Sequence, residues 1–329
     1  MSKESLKVHV KKAFSSMSPA KRRYLINKKV SIKFPIRAEN RMNSLLKKIF
    51  TEISDKTLMK IENTKHRYTI YSIPMQFDTF RNDDFASEID NYIKSLEKEV
   101  TESIEKGTIA KLSLANMVSE LMVFVKQFNV KEVDAYFKTV LGFNLPYTEE
   151  WWQTVQTATL ENLNARLVGT TQEYFQKVNS VVFQSIRNEE SFEQLVANIK
   201  KLNGSLTTAR AMFIARDITG TLNSQIARNI QTSMGMEEYN WRTQYDERVR
   251  GRPGGIYPKY IPSHWLMDDK VCKWNNPSIV TLDFGKTFIP KLPSMPFMHP
   301  GEDWACRCVA TPWITPILKE VDSELRGRN

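Results

Sequence analysis

Cysteine is scarce in this chain: three among 329 residues. That odd, low count argues against a disulfide framework and for a reducing compartment. Histidine is nearly as rare, with four. No apolar run approaches the roughly 18 residues that a bilayer crossing needs, so no membrane partner is expected. The opening residues Met1 to His9 are too polar for a secretion signal. No internal repeat or low-complexity tract is present. The signatures of common catalysts are missing as well: Gly-x-Ser-x-Gly, a Walker-type lysine loop, His-Glu-x-x-His and Gly-x-Gly-x-x-Gly. Cys306 or Cys308 beside His299 or His264 imitates a thiol and its base, but the sequence supplies no recognisable third member. The expectation is a protein that binds rather than an enzyme.

What the chain does have is apolar content, 41% of its residues, enough to bury real cores. Its length favours two or more domains. Its charge is uneven. Residues 1–60 carry 16 Lys/Arg and 4 Asp/Glu, a net +12, which leaves −2 for all the rest of a +10 chain. Such asymmetry suits contact with a polyanion; a solvated lysine-rich surface is the plainer alternative. Lys11, Lys12, Lys21, Arg22, Arg23, Lys28 and Lys29 are the candidate contacts, with Phe14, Tyr24 and Phe34 interleaved as stacking residues.

The spacing predicts a mainly α N-terminal region. Pro19 and Pro35 break the first segment. Met42, Leu45, Leu46, Ile49, Phe50 and Ile53 then recur at helical intervals. Residues 64–82, with Tyr68, Ile70, Ile73 and Phe77, fit extended structure or a loop. Asn82-Asp83-Asp84 looks like a helix start, followed by Phe85, Ile89, Tyr92, Ile93, Leu96, Val100 and Ile104. Helical patterns continue over 112–141 up to Gly142, from Thr148 through Trp151 and Trp152, and over 171–187 and 191–202. A last long helix spans Leu206–Met234, stepping through Ile218, Leu222, Ile226 and Ile230, and stops at Gly235.

From 241 the character changes to a small irregular α+β module. Residues 251–262 hold three glycines and three prolines, and 290–300 hold four prolines. Short strands are expected at Ile279–Phe284 and Arg307–Thr311, and the charged tail after Pro316 is expected to fray. The organisation is thus 1–60 as a basic arm and first helix, 61–204 as a helical body, 205–316 as the C-terminal module and 317–329 as a tail. All three cysteines and two histidines fall within residues 241–312. Cys272, His299, Cys306 and Cys308 make a workable tetrahedral zinc set, with His264 as a substitute; two thiols buried as small hydrophobes are the competing reading. No other cofactor is expected. Asp246, Glu247, Arg248 and Arg250, with Arg307, read as an ion-pair network; alternatively Arg248, Arg250 and Arg252 grip phosphate or an acidic partner. His9 and His66 read as surface residues.

Two features in order resemble the phage head morphogenesis family, the Mu F-like minor head proteins. One is the helix Ala215-Arg216-Asp217-x-x-Gly220-x-x-Asn223, leading through Gly235 to Trp241 and on to Asp246-Glu247-Arg248-Val249-Arg250. The other is the closing Trp304-x-Cys306-Arg307-Cys308 before Pro312. The resemblance spans roughly 206–312, about a third of the chain. The sequence departs from the family where a histidine usually follows the arginine stretch closely: here Gly251–Pro262 intervenes before His264. It also has no second cysteine near Cys272. The resemblance implies a minor head protein inside the virion, assembled in the host cytoplasm. Its implied partners are portal protein, major capsid or scaffolding protein, and double-stranded DNA. A head-carried effector and a cytoplasmic DNA-binding protein are the alternatives; neither a catalytic signature nor a recognition-helix pattern supports them.

Overall fold

The computed structural model describes residues 2–28, 32–65, 80–188, 190–283 and 285–327. Helices dominate the N-terminal part, and the C-terminal part is an α+β module of a small antiparallel sheet and a helix. The expected residues 66–79 (among them His66, Tyr68, Ile70, Ile73 and Phe77), Lys29 and Phe284 lie outside the described residues, as do the side chains of Asn82, Asp83, Asp84 and Phe85.

The chain divides into two compact units, one of Met1–Ala38, Met122–Gln156 and Arg216–Asn329, the other of Glu39–Leu121 and Thr157–Ala215. In the second unit lie most of α3 (Ile36–Glu62), α4 (Phe80–Glu105), the hairpin β1 (Thr108–Ile109) and β2 (Leu112–Ser113), the start of α5 (Leu114–Leu141), most of α6 (Trp152–Arg187), and α7 (Phe192–Ser205). The stripes read from the sequence are its core: Met42, Leu46, Ile49 and Phe50 on α3, and Ile93, Leu96 and Ile104 on α4, are buried. Helix α7 starts with a full capping box, in which Ser191 accepts from Gln194 N and the Gln194 side chain accepts from Ser191 N. The hairpin turns on Ala110 and Lys111, both left-handed (φ 54° and 57°). That turn usually advertises itself by Gly or Asn, so nothing in its sequence announced it.

The long helix expected over Leu206–Met234 is interrupted at its start. Residues Leu206–Arg210 form a π turn, and regular α8 runs over Ala211–Ser233. Gly204 and Ser205 belong to the end of α7.

In the first unit, α1 (Lys3–Ser15) and α2 (Pro19–Asn27) are capped by Ser2 and Ser18, with Pro19 in the first turn where its missing N–H costs nothing. The expected fraying of the tail is overturned: Thr315–Arg326 form α9. Its Ile317, Leu318 and Val321 are buried, and α9 packs on α1 and α2. Ion pairs finish this contact. Lys7 meets Glu320 and Glu324 at 2.6 and 2.7 Å, Lys11 meets Glu324 at 2.7 Å, and the buried Arg22 meets the buried Asp322 at 3.0 Å. An amphipathic stripe with apolar neighbours to cover it stays folded, however charged its outer face.

The sheet has the order β6-β5-β4-β3-β7, antiparallel throughout. Its strands are β3 (Glu238–Arg242), β4 (Val271–Lys273), β5 (Asn276–Thr281), β6 (Phe288–Pro290) and β7 (Val309–Pro312). Strand β3 lies between β4 and β7, pairing Tyr239 with Cys272 and Trp241 with Ala310. Tyr239, Trp241, Met267, Cys272, Trp274, Val280, Met295, Cys306, Cys308 and Ala310 form the module's core.

Candidate functional site

Helix α8 builds the floor of the site. Gly220 is there because the backbone of the cysteine-bearing loop passes against it: a Cβ at this position would lie 2.4 Å from the Cys306 carbonyl oxygen. From the loop side, Gly301 (φ +93°) approaches Gly220 just as closely. Asp217 Oδ1 accepts a hydrogen bond of 2.9 Å from the N–H of Ala305, itself held left-handed at φ 47°. Asn223 Oδ1 accepts from Asn129 Nδ2 at 2.9 Å within the buried interior. The spaced Asp217, Gly220 and Asn223 of the helix motif are thus the residues that hold a loop and a neighbouring helix at fixed distance.

The loop delivers Cys306 and Cys308 just before β7 rather than on a strand, and both thiols are buried, 6% and 4% exposed. His264 reaches them from the head of a short 3-10 turn, Trp265–Met267. Its Nδ1 lies 3.3 Å from Cys306 Sγ and 3.5 Å from Cys308 Sγ. On the other side of the ring, Nε2 lies 2.9 Å from Asp303 Oδ2. Arg250 in turn pairs with Asp303 and donates to the Trp304 carbonyl. Trp241 packs edge-on to the His264 ring, with centroids 5.8 Å apart.

The electrostatics follow from this packing. Burial alone would lower the His264 pKa, but the Cys306 sulfur and the Asp303 hydrogen bond outweigh it and raise it to about 9. Cys306 is pulled well down by the hydrogen bond from Cys308 and, against burial, by His264. Cys308 is pushed well up by donating that bond and by burial.

Among the described residues, His264, Cys306 and Cys308 form a group that could hold a metal ion, their ligand atoms all within 4.8 Å of one another. Cys272 and His299, expected in the ligand set, do not join it. Cys272 sits on β4 opposite Tyr239, where burial raises its pKa. His299 Nδ1 is hydrogen-bonded to the Tyr239 hydroxyl at 3.0 Å, and the ring lies against Trp274. Burial, with Arg228 and Lys291 nearby, lowers its pKa to about 4. The His299 ring is engaged by Tyr239 and Trp274, with centroids 5.6 and 5.1 Å away, and Cys272 is paired across the sheet with Tyr239. His264, the substitute, takes the imidazole position.

A cavity of about 50 Å³ opens on the group, rimmed by Arg216, Arg248, Arg250, Arg307 and Asp246. Arg307 stands 3.7 Å from Asp246, one of the two acidic residues of the Asp246–Arg250 run. Arg250 does not pair within its own alternating run but reaches across to Asp303. Glu247 and Arg248 are exposed. Arg252 donates to the Tyr245 carbonyl and lies over the Trp265 ring. Sequence reading missed Asp303, whose role only the folded loop discloses. It also missed Gln231, which donates to the Ala310 carbonyl at 3.0 Å and accepts from Trp274 Nε1 at 3.3 Å.

The basic N-terminal candidates separate into two sets. Arg22 and Lys11 are spent on α9. Lys12, Lys21 and Arg23 are exposed, and Lys28 lies over the Tyr24 ring at 5.9 Å. His9 Nδ1 bonds the Ser5 carbonyl at 2.7 Å on a half-buried face. Trp151 and Trp152 are half-buried, their rings 5.9 Å apart.

Chemically, Cys306, His264 and Asp303 line up like a thiol, a base and an orienting carboxylate. Two observations favour ligation over nucleophilic attack. Both sulfurs share one imidazole nitrogen, and both are buried behind a cavity with room for only a few water molecules.

Residues 176–311 match the family model described as Phage Mu protein F like protein. An uncharacterised protein of Haemophilus influenzae is 31% identical over 159 residues, which cover 46% of this chain and 29% of that protein. The chain therefore spans less than a third of the length of that relative. No solved structure matches significantly. Among the described residues no helix is long and apolar enough to cross a membrane.

Proposed function

Residues 176–311 match the family model described as Phage Mu protein F like protein, and from that premise we infer that the protein is a minor component of a phage head, acting in procapsid assembly near the portal. The observation that carries the reading is the family match, which runs from α6 to β7. The role is one of binding, without a catalytic step. The C-terminal module docks on portal, major capsid or scaffolding protein inside the assembling head. The His264, Cys306 and Cys308 group serves the fold of that module, and its two thiols and one imidazole are a donor set that suits zinc.

Lys12, Lys21 and Arg23, exposed on α1 and α2, bind packaged DNA through its phosphates and assist its packaging or ejection. Deleting the segment is a poor test, because α1 and α2 cover α9. The combined variant Lys12→Glu, Lys21→Glu, Arg23→Glu leaves that packing intact. It is expected to bind duplex DNA more weakly, with a log–log salt slope shallower by about three units, at roughly 0.9 for each phosphate no longer neutralised. An unchanged slope removes DNA binding from the reading.

The head role itself is tested by quantitative mass spectrometry of purified procapsids and mature particles, scaled to the portal protein. A few copies in both are expected. Absence from both, with the protein present in producing cells, overturns it.

A further inference from the structure

The irregular half of the module has almost no secondary structure to hold it, yet it brings three soft donors to one point. His264 arrives from the loop between β3 and β4, and Cys306 and Cys308 from the loop before β7. The separation along the chain is 42 residues between His264 and Cys306. All three are buried, and their ligand atoms lie within 4.8 Å of one another. The imidazole nitrogen facing the sulfurs is Nδ1, and Asp303 occupies Nε2 at 2.9 Å. A carboxylate on the far ring nitrogen fixes the tautomer that leaves the near nitrogen free to ligate, the usual outer-shell arrangement of a metal-bound histidine. Arg250 pairs with Asp303, so that support is itself held and its charge balanced. We propose that His264 Nδ1, Cys306 Sγ and Cys308 Sγ bind a zinc ion whose fourth position faces the arginine-rimmed cavity.

Charge and donor type select the ion. Two thiolates neutralise a divalent cation, so the loaded site is uncharged and its burial carries no large Born cost. Two sulfurs and one imidazole nitrogen are a zinc donor set; carboxylate-seeking magnesium and calcium have no oxygen cage here. The fourth position follows from the cavity. Its wall includes His264, Cys306 and Cys308 together with Arg216, Arg248, Arg250 and Arg307 and one carboxylate, Asp246, which lies 3.7 Å from Arg307. Among the described residues no further His, Cys, Asp or Glu joins the group. A closed structural site takes all four ligands from protein, whereas a three-ligand site keeps one exchangeable position for water or a small anion. Arg250 and Arg307 are paired with Asp303 and Asp246, yet four guanidinium groups against the one carboxylate of the cavity lining leave an excess of positive charge, which favours an anion over water. The zinc inference stands independently of the head role.

The test uses the full chain, purified without chelators and analysed for metal by mass spectrometry. About one zinc per chain is expected. Cys306→Ser, Cys308→Ser and His264→Ala should each lose it, while Cys272→Ser and His299→Gln should retain it. Absence of zinc from the wild-type chain, even after incubation with zinc salts, overturns the site, as does loss in Cys272→Ser equal to that in Cys306→Ser. Cobalt substitution of the wild-type chain is independent of whether a variant folds. It should give a thiolate-to-cobalt charge-transfer band in the near ultraviolet and an intense tetrahedral visible band. Azide titrated into the cobalt form should shift the visible band if the fourth position is exchangeable. An unshifted band overturns that part of the proposal and leaves a closed site.

Discussion

Gly220 shows how much one missing methyl group can decide. Its neighbour is backbone, the Cys306 carbonyl, so a Cβ cannot be accommodated by turning a side chain. Gly220→Ala is expected to cost about 1–3 kcal/mol or more, the range for overpacking against rigid surroundings. Asp217→Ala, which strips the acceptor from the half-buried Ala305 N, should cost about 1 kcal/mol, the lower end of the range for an unmet donor. Both are read by urea denaturation, and neither should alter the far-ultraviolet signature of the N-terminal helices. His299 carries a pH dependence. Its folded pKa, about 4, lies below the ordinary 6.5. The unfolded chain therefore binds the proton more readily. The stability held by the neutral ring is complete above about pH 6.5, is lost as pH falls towards 4, and changes no further below that. The gap corresponds to at most about 3 kcal/mol. His299→Gln should flatten that part of the stability profile, and an unchanged slope would show that another group is responsible. The resemblance had already singled out Asp217, Gly220 and the two cysteines by type and order. Asp303 was invisible, because one aspartate in a loop carries no signal until His264 is folded against it.

Among the elements, the packing of α9 on α1 and α2 separates a buried charge pair from exposed ones. Asp322→Ala leaves Arg22 buried without its partner and should cost about 3–5 kcal/mol, largely independent of salt. Lys7→Ala removes a pair whose glutamates are partly exposed; its effect should be smaller and shrink as salt rises. Salt titration of both variants in denaturation experiments distinguishes the two cases. The helices were legible wherever one face alone is buried, as in α3 and α4, since that leaves a period of three and four in the sequence. Strand β3 was not legible. Tyr239, Asn240 and Trp241 are all buried, so the strand has no alternation to read. Strand β4, three residues long, is too short for any pattern. Helix α9 is masked by its charge, which suggests a frayed tail unless the Ile317, Leu318 and Val321 stripe is weighed against it.

For the whole molecule, the basic excess is a property of residues 1–60, as composition indicates, but its meaning changes once the chain is folded. Part of it faces inward to α9 and part outward, and only the outward set is available to a polyanion. The chain enters the first compact unit three times, and composition alone carries no mark of those returns. The pairing of α1 with α9 also sets an order of events during synthesis. Leu6, Val10 and Phe14 are made before any of the second unit, yet the helix that α1 packs against, Thr315–Arg326, emerges more than three hundred residues after them. Every segment of the second unit, which ends at Ala215, has left the ribosome before then. A nascent chain therefore completes its second unit first and carries an uncovered apolar face on α1 until α9 arrives. A ribosome stalled just before Thr315 would hold an exposed hydrophobic helix, the kind of surface that chaperones retain and that aggregation exploits.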